Sequence, residues 1–333
     1  MPALLTHCLC GSNMLKRLED GPGKDIILKH IKVFNLGTQG PDIMFFHAQW
    51  PWEKKRGLGE VGNTMHEKKT GEFFSSAFDY VINADPIEKE LLTVYMCGYA
   101  CHYSLDCHAH PYIFYKSGFL KKNGEFTLKY SLYHRMFETA LDVLTLSQLT
   151  GKKPADVKPA EYIKVSPQDA LVIGRMYETV LKKVYDIDIN SEEVSRAISD
   201  MTGITAALHD KSGIKKKLLS YIEKSIGKLP LMSSMILPGE IDDGIDYLNL
   251  SHAPWYLPWD KSAKYTSSFL EMFEAAIIES KKMCNEIFKG IIQKNEVKDI
   301  LKIMGNLSFS TGVDCNSDTE FKYYDCVYEK NHA

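Results

Sequence analysis

The stretch PIEKELLTVYMCGYACHYSLDC, residues 86–107, decides how the rest of the chain is read. Its apolar positions recur at helical spacing and show no strand-like alternation. Pro86 suits the first turn of a helix, where a missing N–H costs nothing. Pro111, just beyond, predicts the helix's end. On this helix His102 and Asp106 are four residues apart and share one face. Residues 127–149, closed by Gly151, predict a second long helix, on which His134 and Glu138 repeat the spacing. Two helices that each offer a His and a carboxylate at i and i+4 can build a metal site inside a bundle. Imidazole and carboxylate together suit zinc.

Working outward, helical periodicity dominates the chain. Helices are predicted near residues 12–19, 26–34, 71–83, 167–185, 191–208, 214–226, 265–292 and 297–304. Ser166-Pro167 is a start of the usual kind, with Ser as N-cap and Pro at the first helical position. Residues 36–42 and 50–63 are Gly- and Pro-punctuated, and read as loops. The predicted fold class is all-α, a multi-helix bundle. Residues 152–164 are polar and proline-dotted, which places a boundary between a metal-binding region, 1–150, and a helical extension, 160–333.

Composition narrows the function. Of 333 residues, 44% are hydrophobic and 25% charged, as in an ordinary globular chain rather than a disordered one. Forty basic against 43 acidic residues give a net charge of −3, so no nucleic-acid partner is expected. No run of eighteen apolar residues occurs, and no transmembrane helix is expected. The eight cysteines form no CxxC pair, and the start of the chain has no basic segment before an apolar one. Together these point to free thiols and a cytoplasmic location. Eight of the eleven histidines lie at or before His134: His7, His30, His47, His66, His102, His108, His110 and His134. One H-x3-D pair alone is more often a surface pair or a satisfied buried His than a metal site. Exposed pairs contribute well under ~1 kcal/mol each, so stability is a poor reason for such crowding. Either His110 or His108, beside the end of the first helix, can add a further ligand.

These residues in this order resemble the zinc-dependent phospholipase C family, which shares its helical fold with P1-type nucleases and clostridial alpha-toxin. Carrying the resemblance are Cys101-His102-Tyr103-Ser104-Leu105-Asp106, His110-Pro111-Tyr112 and His134-Arg135-Met136-Phe137-Glu138. Thr6-His7-Cys8-Leu9, the Asp-bearing Gly40-Pro41-Asp42 segment and Met65-His66 complete it, over about residues 1–150. The resemblance implies a centre of two or three zinc ions. Asp42, His66, His102 and Asp106 would hold one zinc, His110, His134 and Glu138 a second, and His7 with a bridging Asp106 a third. It implies hydrolysis of a phosphodiester, a lipid or a small molecule, by water, with Asp42 as base. The alternative class is a helical metal-binding protein without hydrolytic activity. A different kind of metal phosphohydrolase would carry an adjacent His-Asp doublet, which occurs only as His209-Asp210, away from the cluster.

The remaining features read more plainly. His47 and Glu67 neighbour predicted ligands, and Glu67 is expected to be solvated. Trp50, Trp52, Trp255 and Trp259 can line a cleft or pack the two halves together. His252 is weighed as a residue approaching from the second half. Lys215-Lys216-Lys217 is expected to be a solvated face.

Overall fold

The computed structural model describes residues 4–50, 52–53, 57–119, 128–227, 229–242, 244–294 and 296–329. Met1 to Ala3, Pro51 and the expected helix start at Thr127 lie outside them. The first half carries α1 (Leu4–Arg17), α2 (Pro22–Lys29), α3 (Ile31–Gly37), α4 (Gly59–Glu67), α5 (Thr70–Asn83), α6 (Pro86–Ser117) and α7 (Leu128–Thr150). Then follow α8 (Pro159–Ile163), α9 (Pro167–Tyr185), α10 (Ser191–Ala207), α11 (Ile214–Ser225), α12 (Phe269–Ile287) and α13 (Lys298–Met304). The one sheet among the described residues is an antiparallel pair, β1 (Trp255–Leu257) with β2 (Asp260–Tyr265). The fold is all-α.

Helix α6 is the axis of the molecule. Asp85 caps it, accepting from the N–H groups of Ile87 and Glu88 at 3.0 and 3.2 Å, and Pro86 follows at the first helical position. Every residue from 91 to 106 is buried, because α1, α3, α7 and α12 enclose it. A helix covered on all sides needs no polar face. Helix α3 comes closest. A Cβ on Gly98 would lie 2.1 Å from the Phe34 carbonyl, and one on Gly37 would lie 2.2 Å from the Tyr95 carbonyl, so both must be glycine.

The expected stop at Pro111 is corrected: α6 continues through it to Ser117. Proline removes the bond to the carbonyl four residues back, here that of Cys107. The turn at residues 308–313 covers that carbonyl. Gly312, at φ +66°, sits so close that a Cβ there would lie 2.3 Å from Cys107 O. The Cys107 thiol also donates to Ser308 O at 3.6 Å. The helix continues through its proline with a distant segment packed over that turn.

Other expectations shift less. The predicted helix at residues 26–34 is two helices, α2 and α3, joined at His30. The loop expected at 36–42 holds the end of α3 and the start of a 3-10 turn, Gly40–Phe46. All eight cysteines are free thiols.

Candidate metal centre

Because α6 does not break, His102, Asp106 and His110 form one unbroken stripe at i, i+4 and i+8. Helix α7 lies alongside and presents His134 and Glu138. His7 comes from α1, Asp42 from the 3-10 turn and His66 from the last turn of α4. The structure thus brings all eight expected residues into one cluster, buried except for the half-buried His134.

Asp106 is the hub. Its Oδ2 lies 3.1 Å from His102 Nε2 and 3.9 Å from His66 Nε2, and its Oδ1 lies 3.4 Å from His7 Nε2 and 3.7 Å from His110 Nε2. Asp42 Oδ1 is 3.1 Å from His66 Nε2. Glu138 Oε1 is 3.0 Å from His134 Nε2 and 3.4 Å from His110 Nε2. Three groups have ligand atoms within 4.8 Å of one another: His7, His102 and Asp106; Asp42, His66 and His102; and His110, His134 and Glu138.

The ring nitrogens facing away from the cluster are mostly occupied. His66 Nδ1 donates to Gly62 O at 2.7 Å, His102 Nδ1 to Thr38 O at 3.1 Å, and His110 Nδ1 to Phe309 O at 2.9 Å. His134 Nδ1 lies 3.4 Å from Ser117 Oγ. A donor bond on Nδ1 leaves the Nε2 lone pair directed inward, as a metal-ligating imidazole requires. Meanwhile Asp42 Oδ2, Glu138 Oε2 and His7 Nδ1 are buried without a hydrogen-bond partner among the described residues, and Asp106 Oδ2 and His102 Nε2 have only each other, 3.1 Å apart. Buried polar atoms are rarely orphaned, and so many in one cluster fit a cation as the missing partner.

The electrostatics agree. Burial pushes the carboxyls of Asp106 and Glu138 up, but the surrounding imidazoles hold both well below the usual carboxylate range. Burial pulls His110 down, yet Asp106 and Glu138 outweigh it and push the imidazole up to about 9. The site therefore favours positive charge at that point. A divalent ion answers the same field while leaving the imidazole neutral. Burial and the neighbouring His102 lower His7 to about 4, which keeps its ring neutral.

His110, not His108, joins the cluster; His108 Nδ1 bonds Ser104 O at 2.8 Å within its own helix. Glu67 is exposed. His252 is exposed too, bonded to Thr266 O at 2.9 Å, and stays outside the cluster. His30 pairs with Glu90 at 2.9 Å. Trp255 packs edge-on against Tyr112, and Trp259 stacks on Phe321.

Sequence reasoning missed Asp142, one turn beyond Glu138 on α7. Buried, it accepts from Leu5 N at 3.2 Å, Thr6 N at 2.7 Å and Thr6 Oγ1 at 2.7 Å. It thereby fixes the first turn of α1, which carries His7. Burial, with the nearby Glu138 charge adding to it, pushes its carboxyl up to about 7 against the bonds that favour ionisation. The signal was its place four residues after Glu138.

An all-α fold around a buried cluster of imidazoles and carboxylates offers a donor set of the kind that can hold zinc. A family model described as zinc dependent phospholipase C matches residues 6–198. That is more than half of the chain, and the protein belongs to the zinc-dependent phospholipase C family. The matched span contains all eight clustered residues and continues beyond residue 150 into α10. No curated protein and no solved structure matches the chain.

Proposed function

We propose that the protein is a zinc-dependent phosphodiester hydrolase of phospholipase C type, with water as the nucleophile and a phospholipid or related phosphodiester as substrate. The observation that carries this reading is the convergence of three carboxylates and five imidazoles in one cluster, with Asp42 Oδ2 and Glu138 Oε2 buried and without a hydrogen-bond partner among the described residues. Asp42, His66, His102 and Asp106 would hold one zinc, and His110, His134 and Glu138 a second. His7 would share a third with Asp106, whose two oxygens face different imidazoles. When bound, such ions polarise phosphoryl oxygens and make water a stronger nucleophile at neutral pH.

The chain's own residues supply orientation and a proton acceptor. Asp42 Oδ1 faces His66, which leaves its buried Oδ2 to orient the attacking water and take its proton. The carbonyls of Gly62, Thr38 and Phe309 hold three imidazoles in one tautomer, so no reorganisation is needed at the moment of reaction.

The test is hydrolysis of p-nitrophenyl phosphorylcholine and a phosphodiester panel by zinc-loaded protein. Asp42→Asn should lower kcat by on the order of 10²- to 10⁴-fold with the fold intact. Full activity in that variant would remove Asp42 from its role. A folded, zinc-loaded wild type inactive on every phosphodiester would instead be a non-catalytic metal-binding protein.

A further inference from the structure

Helix α11 is mounted inside out. With 3.6 residues per turn, Ile214, Leu218, Tyr221 and Ile222 form one apolar stripe. An ordinary surface helix turns such a stripe to the core. Here the four residues are exposed by 66%, 57%, 71% and 45%. The one buried residue of the helix is Glu223, on the opposite face. Its carboxylate accepts from Met232 N at 2.7 Å and Ser233 N at 3.1 Å. The Lys215-Lys216-Lys217 run is accordingly not a uniformly solvated face. Lys216 is half-buried and donates to Ile236 O at 2.6 Å. Polar side chains fasten the helix to the protein, and its apolar side is left outward.

The fastening leads to the candidate metal centre. The segment that receives Glu223 is itself bound to α7. Arg135 Nη1 donates to Leu231 O at 2.8 Å, and Thr139 Oγ1 to Ser234 O at 3.0 Å. These two residues flank the stretch of α7 that holds Glu138.

Charge around the stripe identifies its partner. On the helical wheel Lys217 and Lys224 flank the stripe on one side and Lys215 on the other, and all three are exposed. Glu223, the helix's only acidic residue, is buried on the far side. A hydrophobic stripe bordered by lysines on a helix of low overall hydrophobicity suits the boundary between lipid headgroups and acyl chains. A second copy suits it poorly, because symmetric pairing would bring each lysine border against itself. We propose that α11 is an interfacial docking helix that seats this protein on an anionic phospholipid surface. This rests on the proposed phosphodiesterase reading for its purpose, since it names a membrane as the source of substrate, but not for its measurement.

The experiment is co-sedimentation of the full-length, zinc-loaded protein with vesicles of phosphatidylcholine plus phosphatidylserine, and of phosphatidylcholine alone. The wild type should bind the mixed vesicles more tightly, and added salt should weaken that binding. Leu218→Ser with Tyr221→Ser should reduce partitioning by roughly tenfold or more. Lys217→Gln with Lys224→Gln should weaken binding to the anionic vesicles alone. Thermal melting and zinc content confirm that each variant is folded. Should the double variant not fold, Ile214→Ser, at the end of the stripe, takes its place. No binding by the wild type, equal binding by the stripe variant, or a concentration-dependent dimer without vesicle binding would each overturn the proposal. Vesicle binding without hydrolysis would fail the proposed function and leave docking standing. Hydrolysis of a soluble phosphodiester without vesicle binding would do the reverse.

Discussion

Helices α6 and α11 break the usual division of inside and outside in opposite directions. Helix α6 turns His102, Asp106 and His110 into the core, while α11 turns Ile214, Leu218 and Tyr221 out to solvent. Each exception is expensive in isolation. Buried ionisable groups lose hydration, and an exposed apolar stripe forgoes burial. Each is held by named bonds rather than tolerated by loose packing. The carbonyls of Thr38 and Phe309 aim the imidazoles of α6, and the amides of Met232 and Ser233 grip Glu223 of α11. When a fold spends structure on a mismatch, the mismatch points to a partner that the chain does not supply. For α6 the chemistry is that of a cation; for α11 it is that of a lipid surface.

The same truncation on the two helices should separate them most widely. Leu105→Ala on α6 empties a site only 3% exposed, and is expected to cost about 2–5 kcal/mol. Leu218→Ala on α11, 57% exposed, should stay within about 0.5 kcal/mol. Denaturant unfolding of both variants measures the pair, and comparable losses would erase the distinction between the helices.

Along α6 itself, His110→Ala should weaken zinc binding by about 100-fold or more, a ligand counting for at least as much as the partner that orients it. His108→Ala, whose ring bonds Ser104 O within its own helix and stays outside the cluster, should leave zinc affinity unchanged. Competition with a chromogenic chelator reads both. Equal effects would mean that the stripe at residues 102, 106 and 110 is not what selects the ligands.

Asp142 gives a pH-dependent effect. Its carboxyl is pushed up to about 7 in the fold, from an ordinary 3.8. Between those values the folded chain holds a proton that the unfolded chain has lost. Stability should therefore fall as pH rises from about 4 to about 7, and level off above. Asp142→Asn should remove that part of the slope. Unfolding midpoints across the range check it, and an unchanged slope would show that Asp142 does not titrate as its burial requires.

Much of the centre was legible in the sequence, because helical spacing is local. His102 with Asp106 and His134 with Glu138 needed only the 3.6-residue repeat. The order of His7, Asp42 and His66 before them was readable as a resemblance. What stayed hidden depends on contacts between distant segments. Pro111 reads as a stop unless one knows that Gly312 comes to rest over Cys107 O. The bonds of His110 to Phe309 O and of Asp142 to Thr6 join residues 199 and 136 apart. For α11 the periodicity was plain, but amphipathicity says which face is apolar and not which face is covered. Only the grip on Glu223 reveals the inversion.

The most direct test of the central claim is zinc analysis of the purified, folded protein, beside an Asp106→Ala variant. The arrangement around Asp106 predicts at least about two zinc ions per chain in the wild type, as two-metal chemistry requires, and a clear loss in the variant. Folded wild-type protein with zinc near zero, unable to take up the metal when it is supplied, would contradict it.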